Sequence, residues 1–179
     1  MEILALPGSV RNGSYNTALL NAMSDHAPTH FNVTLYDKLG SIPIFNPENP
    51  ENTIPASVSQ LIDQLRNADG VIISAPEYAH GVSGVLKNTL DWLVASDALV
   101  LKPVVICSVS TSNLGGARSF CSLVQILSAM NANVVIDASL CVPFAKIKFD
   151  QQSQLTDEIT IEAVKLSLLA LERAINLAK

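Results

Sequence analysis

Two turn-rich loops carry residues whose types and spacing suit an anion and a flat polar ring. The first, Pro7-Gly8-Ser9-Val10-Arg11-Asn12-Gly13-Ser14-Tyr15-Asn16, follows the apolar run Glu2–Leu6 and opens a helix. Free N–H groups at a helix start, together with the helix dipole, attract an anion. Ser9 and Ser14 add hydroxyl donors, Asn16 can cap or donate, and Arg11 is the loop's one cation, able to pair with phosphate oxygens through two parallel bonds. The second loop, starting at Pro76-Glu77-Tyr78-Ala79-His80, follows the buried-strand run Gly70–Ala75 and leads into the helical spacing Leu86, Thr89, Leu90, Leu93. Both loops lie at carboxyl ends of strands, where open α/β sheets place their ligands. A flat, phosphorylated ligand fits the pair.

Simpler motifs fail on inspection. A P-loop needs Gly-Lys-Ser/Thr, but Gly13 is followed by Ser14 and Tyr15. The dinucleotide pattern G-x-G-x-x-G meets Val10 where its second glycine belongs. Asp37, just past the second strand, stands where a ribose-reading acid would stand, by itself a weak sign. Taken alone, the first loop also reads as a Gly/Ser turn that merely caps a helix.

The elements that must hold these loops alternate from end to end. Strand-like runs occur at Glu2–Leu6, Phe31–Tyr36, Val71–Ala75, Val104–Val109 and Val134–Ile136, the later ones nearly continuous Val and Ile. Between them run helical stripes: Leu19, Leu20, Met23; Val58, Leu61, Ile62, Leu65; Leu86, Leu90, Leu93; and Phe120, Leu123, Val124, Leu127. The cleanest stripe is the last, Ile161, Val164, Leu168, Leu171, Ile175, with Thr156 as expected N-cap and Asp157 and Glu158 favourable to the dipole. This predicts an α/β, three-layer, doubly wound sheet of five parallel strands in the order 2-1-3-4-5, forming one domain over 1–179. The Asp37–Pro55 connection, with Pro43, Pro47, Pro50 and Pro55 but also Ile42, Ile44 and Phe45, is too long for a tight turn and reads as a loop packed on something.

Composition narrows the function classes. A net charge of -5 argues against a nucleic-acid partner, which requires an excess of Lys and Arg. No apolar run approaches the roughly 20 residues of a spanning helix, and no signal peptide is visible, so a cytoplasmic protein without a membrane partner is expected. Cys107, Cys121 and Cys141 are odd in number and widely spaced; they predict free core thiols in a reducing compartment and no metal site. With 49% hydrophobic and only 15% charged residues, some helix surface is expected to be covered by another subunit.

Taken together, Gly8-Ser9-x-Arg11-x-x-Ser14-x-Asn16, Pro76-Glu77-Tyr78 and Gly84-x-Leu86-Lys87-Asn88-x-x-Asp91-Trp92 resemble the NADPH-dependent FMN reductase family, the flavodoxin-like group that includes quinone, chromate and azo-dye reductases. The resemblance runs from Met1 to about Met130. It implies FMN as cofactor and NADPH or NADH as hydride donor. A quinone, free flavin, azo compound or metal oxyanion would be the small-molecule acceptor, and the assembly a homodimer or homotetramer. By position, Ser9, Arg11, Ser14, Tyr15 and Asn16 would hold the FMN phosphate. Pro76, Glu77, Tyr78, Ala79 and His80 would line the ribityl chain and ring. Ser110, Thr111, Gly115 and Gly116 would contact the ring from a third loop. The chain departs from the family where Asn, Ser and Pro are common, carrying Ala79, Gly81 and Ser83 instead.

No side chain is required as a nucleophile. His80 is also readable as a solvated loop residue, Tyr78 as a wall against the ring or a partner contact, and Lys87 with Asp91 as a surface pair. A flavodoxin-type electron carrier and a flavin-free phosphate-binding α/β module are the competing functions, told apart by NAD(P)H oxidation with a quinone and by the yellow colour of the purified protein.

Overall fold

The computed structural model describes residues 1–48 and 54–179. Five positions across a parallel sheet are filled in the expected order. The strands β1 (Glu2–Pro7), β2 (Asn32–Leu35), β3 (Gly70–Ser74) and β4 (Pro103–Val109) form the body, arranged β2-β1-β3-β4. The fifth position is not one strand. It is split into β5 (Asn133–Val134), paired with Pro103 and Val104, and β6 (Leu140–Val142), paired with Cys107–Val109. A 3-10 turn, Ile136–Ala138, breaks the run expected at Val134–Ile136. Ser139 patches the gap: its hydroxyl accepts from the Ile106 N–H at 3.1 Å and donates to the Val135 carbonyl at 2.9 Å. The unexpected sixth strand brings the chain after it against the end of β4, next to the ligand edge.

Helices cover both faces. Those of α1 (Tyr15–Asp25) and α5 (Glu158–Ala178) pack Leu19, Met23, Leu168 and Leu171 against Ile3, Ala5, Ile72 and Val105. On the other face, α2 (Ala56–Asn67), α3 (Gly84–Leu93) and α4 (Ala117–Ala129) set Leu61, Leu65, Leu86, Leu90, Leu123 and Leu127 against Leu4, Leu6, Val71, Ile73 and Ile106. Alternate residues of each strand thus feed opposite cores, which is why β3 and β4 are buried along their whole length.

Three expectations are corrected. The cap of α5 is Asp157, not Thr156: its carboxylate accepts from the Thr160 N–H at 3.0 Å. Only Cys107 is a core thiol, its pKa pushed up to about 12 by burial, whereas Cys121 and Cys141 are exposed. In the long loop Ile42 is buried, but Ile44 is 88% exposed and Phe45 half-buried. The described part is fastened to α3. Asn88 Nδ2 and Trp92 Nε1 both donate to the Pro43 carbonyl, at 2.9 and 2.8 Å, and the Phe45 ring meets Trp92 edge-on at 5.2 Å. Pro50 lies outside the described residues.

Asp157 also sets a pH dependence. Lys148 Nζ donates to Asp157 Oδ2 at 2.8 Å and to Thr160 Oγ1 at 2.7 Å. The Lys148 bond first, then the Thr160 hydroxyl, hold the Asp157 carboxyl down at about 2. A lowered carboxyl pKa contributes stability that is complete above the unfolded value of about 4 and is lost as pH falls through about 2. Asp157→Asn keeps a competent cap and removes the charge. In acid titrations followed by circular dichroism, wild-type stability should therefore fall more steeply than that of the variant over this window. Parallel curves would remove the assignment.

Candidate flavin site

The first loop is a strand-to-helix crossing held in place by its neighbours. The Gly8 N–H donates to the Ser74 carbonyl at 2.8 Å, and the Gly8 carbonyl accepts from the Ser83 hydroxyl at 2.5 Å. Gly8 is closely packed: a Cβ there would stand 3.0 Å from Pro76, Leu86 and the Ser74 carbonyl, so a larger residue would have to push these neighbours aside. Ser14 caps α1 by accepting from the Asn16 N–H. Among the described residues, no acceptor takes the backbone N–H groups of Asn12, Gly13, Ser14 or Tyr15. Four main-chain donors of this loop are therefore left without a partner, and among the described residues the Arg11 side chain donates only to the Gly13 carbonyl, at 3.3 Å. This donor set suits a phosphate.

Asn16 does something the sequence did not reveal. Its side chain is buried and bonded through both ends of the amide inside the protein. Nδ2 donates to the Val109 carbonyl at 3.1 Å, while Oδ1 accepts from the Val109 N–H at 3.1 Å and from Ser74 Oγ at 3.0 Å. One amide thus ties the start of α1 to the ends of β3 and β4. This fixes the start of the helix that follows the first loop.

The second loop meets the first through the Ser9 hydroxyl and Tyr78 OH, 3.2 Å apart. Glu77 turns back toward α4, where its carboxylate accepts from the Arg118 N–H at 3.1 Å and from Arg118 Nη1 at 3.2 Å. Ser108 Oγ donates to the Ala75 carbonyl at 2.6 Å and Ser119 Oγ to the Pro76 carbonyl at 3.1 Å, so the loop's base is fixed by buried hydroxyls. Its tip is a two-residue hairpin: Tyr78 and Gly81 exchange both backbone bonds at 3.0 Å, and Ala79 and His80 sit at φ 48° and 63°. This is a primed turn, in which Asn and Gly are comfortable and Ala is strained. Ser83, another departure, is the N-cap of α3 and accepts from the Leu86 N–H.

The third loop is anchored by the unforeseen β6. The Ser110 N–H donates to the Val142 carbonyl at 3.1 Å, and the Ala145 N–H to the Ser110 carbonyl at 3.0 Å. Gly115 and Gly116, at φ 59° and 85°, have packing reasons of their own. A Cβ on Gly115 would stand 3.0 Å from the backbone of residues 141–143, and one on Gly116 would overlap Ser108 Oγ at 1.9 Å.

The three loops enclose a cleft of ≈ 360 Å³ lined by Arg11, Ser14, Tyr15, Asn16, Pro76, Glu77, Tyr78, Val109, Ser110 and Thr111. Val109 is the wall residue missed from sequence, because it reads as the last residue of a core strand. Ser9 reaches the cleft only through Tyr78. Ala79 and His80 stand exposed on the hairpin tip, and neither they nor Gly115 and Gly116 line the cleft. A cradle of unpaired N–H groups at one end and a slot between Pro76–Tyr78 and Val109–Thr111 at the other match a phosphate joined to a flat ring.

The comparisons with known proteins agree with this geometry. Residues 1–146 match the family model for NADPH-dependent FMN reductase. Across its whole length the chain is 33% identical to a quinone reductase of Escherichia coli strain K12, covering 97% of that protein. It is 30% identical to an NAD(P)H-dependent FMN reductase of Pseudomonas aeruginosa, with 96% of this chain and 94% of that protein aligned. In three dimensions it superposes on FerB, a flavoenzyme NAD(P)H:(acceptor) oxidoreductase from Paracoccus denitrificans, with a TM-score of 0.88 over 98% of this chain and 97% of that one, at 22% identity. With the donor cradle, the loop-lined slot and the 2-1-3-4-5 sheet already in place, the match over most of the chain means that it belongs to the NADPH-dependent FMN reductase family.

Proposed function

We propose that this chain, an FMN-dependent NAD(P)H oxidoreductase by its family, delivers electrons from a nicotinamide to a quinone or a related small acceptor. The observation that carries the reading is the convergence of three strand-end loops on one cleft, with free main-chain donors at its phosphate end. Bound FMN supplies the redox chemistry, accepting hydride and passing the electrons on. The protein's part is to bind and orient. Arg11 and the N–H groups of residues 12–15 hold the phosphate, with Ser14 and Tyr15 walling it. Pro76, Glu77 and Tyr78 flank one edge of the slot and Val109, Ser110 and Thr111 the other. Ala79 and His80 stand above the opening, and Gly115 and Gly116 let the third loop approach closely. No side chain is assigned proton transfer.

A single cleft of this size leaves donor and acceptor to use one ring face in turn. Initial rates at several quinone concentrations should therefore give parallel double-reciprocal lines, and intersecting lines would mean that both substrates bind together. NAD(P)H consumption with a quinone also separates an enzyme from an electron carrier.

The acceptor is a small molecule, and among the described residues no helix is long and apolar enough to cross a membrane. The assembly is a homodimer or homotetramer in a reducing cytoplasm. The exposed Ile44 and Tyr78, and the half-buried Phe45–Trp92 pair, support the first part. The free thiols Cys121 and Cys141 support the second. Light scattering at micromolar concentration should return at least twice the chain mass. A monomer with full activity would end that proposal.

A further inference from the structure

The C-terminal helix α5 has a second face, turned to solvent. Its buried stripe, Val164, Leu168, Leu171 and Ile175, packs into the core. On the other side Ile159, Glu162, Leu166, Leu169, Arg173 and Asn176 follow alternating steps of three and four, and all six are exposed. Ile159 is 81%, Leu166 65% and Leu169 48% exposed. Such spacing draws one straight seam on a helix, the pattern with which two helices pack along their length. None of the six lines the flavin cleft. The apolar surface continues past the C-terminal end of the seam, where the exposed Leu177 and Ile136 line a cavity of ≈ 580 Å³ with Val134 and Ala174.

The charges on this face decide what fits it. Two copies of the helix laid parallel would set Glu162 against Glu162 and Arg173 against Arg173. Laid antiparallel, about a two-fold axis between Ser167 and Leu168, the same face complements itself. Leu166 of one copy then meets Leu169 of the other, Glu162 meets Arg173, and Ile159 meets Asn176 beside Leu177. Along one flank Lys165 faces Glu172 and Glu158 faces Lys179, again opposite in sign. Along the other flank Ala163 faces Ala170, small enough for a close approach. Within one copy Lys165 already meets Glu162 at 2.6 Å, Glu172 meets His30 at 2.8 Å and Lys179 meets Asp69 at 3.0 Å. A second copy thus extends surface pairs into a network instead of burying lone charges. We infer that α5 docks antiparallel on the α5 of a second copy of this chain. A seam of two 21-residue helices is about 30 Å long and about 10 Å wide, well short of the roughly 2,000 Å² of an obligate dimer. It therefore joins two dimers into a homotetramer, and the inference rests on the pairing proposed at the Ile44, Tyr78 and Phe45–Trp92 face.

Light scattering of the FMN-loaded protein at micromolar concentration tests this contact. Wild type should return four chain masses. Leu166→Glu, which puts a carboxylate into the central layers, should halve the mass to two. Its circular dichroism and yellow colour should be unchanged, because the side chain is exposed and outside the cleft. Glu162→Arg and Arg173→Glu should each halve the mass too, by setting like charges together. The double variant should return to four, since the swap restores opposite charges across the axis; mere damage to the helix would not be rescued in this way. Three results overturn the α5 contact alone: a wild type of two chain masses, a tetramer that Leu166→Glu and both single swaps leave intact, or a double variant that stays at two. A wild-type monomer overturns the dimer reading, and this inference with it.

Discussion

Arg11→Ala should weaken FMN binding by about 1.5–3 kcal/mol, roughly tenfold to hundredfold in Kd, the range for losing a charge-assisted bond to a phosphate. Arg11 is exposed and among the described residues makes one side-chain bond, to the Gly13 carbonyl at 3.3 Å, so its removal leaves no buried partner there unsatisfied. Thermal stability of the apoprotein should stay nearly unchanged, which separates loss of a ligand contact from loss of fold. Arg11→Lys should recover part of the affinity as a point charge without the two-pronged geometry. The affinity of wild type should fall with added salt more steeply than that of Arg11→Ala, since the pair is partly solvated. Fluorescence titration of apoprotein with FMN measures all three. Equal Kd for wild type and Arg11→Ala would move the phosphate elsewhere.

Legibility followed the physics of each feature. The central strands were readable because burial on both faces demands unbroken Val and Ile, as at Val71–Ile73 and Val104–Ile106. The edge was not, because only one neighbour constrains it; there a turn and the Ser139 hydroxyl replace ladder bonds, and β6 has just three residues. The loops announced themselves through Gly, Ser and Arg at strand ends. Their internal fastening did not, since in sequence Asn16, Ser83 and Ser119 look like ordinary helix-start residues and Ser74 and Ser108 like isolated polar positions in strands. Only the approach of distant strand ends shows that these polar groups are buried and paired with one another or with backbone. The exposure of Cys121 and Cys141 is hidden in the sequence for a related reason: apolar sequence neighbours alternate across a strand or around a helix, so they do not fix which way one side chain faces.

Asn16→Ala should destabilise the fold more than any other single change around the cleft, by about 3–5 kcal/mol, the range for breaking a buried hydrogen-bond network. The truncation strands three buried groups at once: the Val109 N–H, the Val109 carbonyl and the Ser74 hydroxyl. Their separate costs do not add in full, because the groups share one partner and the strand ends can relax together. The site suffers as well. Val109 leads directly into Ser110 and Thr111, and Asn16 stands in the first turn of α1, on the opposite wall of the cleft, so the amide sets the spacing between the two walls. Asn16→Asp should not rescue stability: it keeps the acceptor but loses the donor to the Val109 carbonyl, and it puts a negative charge where an anion is to bind. Urea denaturation of the apoprotein should give the stability loss, and FMN titration at a temperature where the variant is folded should give a weakened Kd. A variant that lost less than about 1 kcal/mol and bound FMN normally would mean that the cradle and the third loop are held together by other contacts, and that this amide is not the clamp.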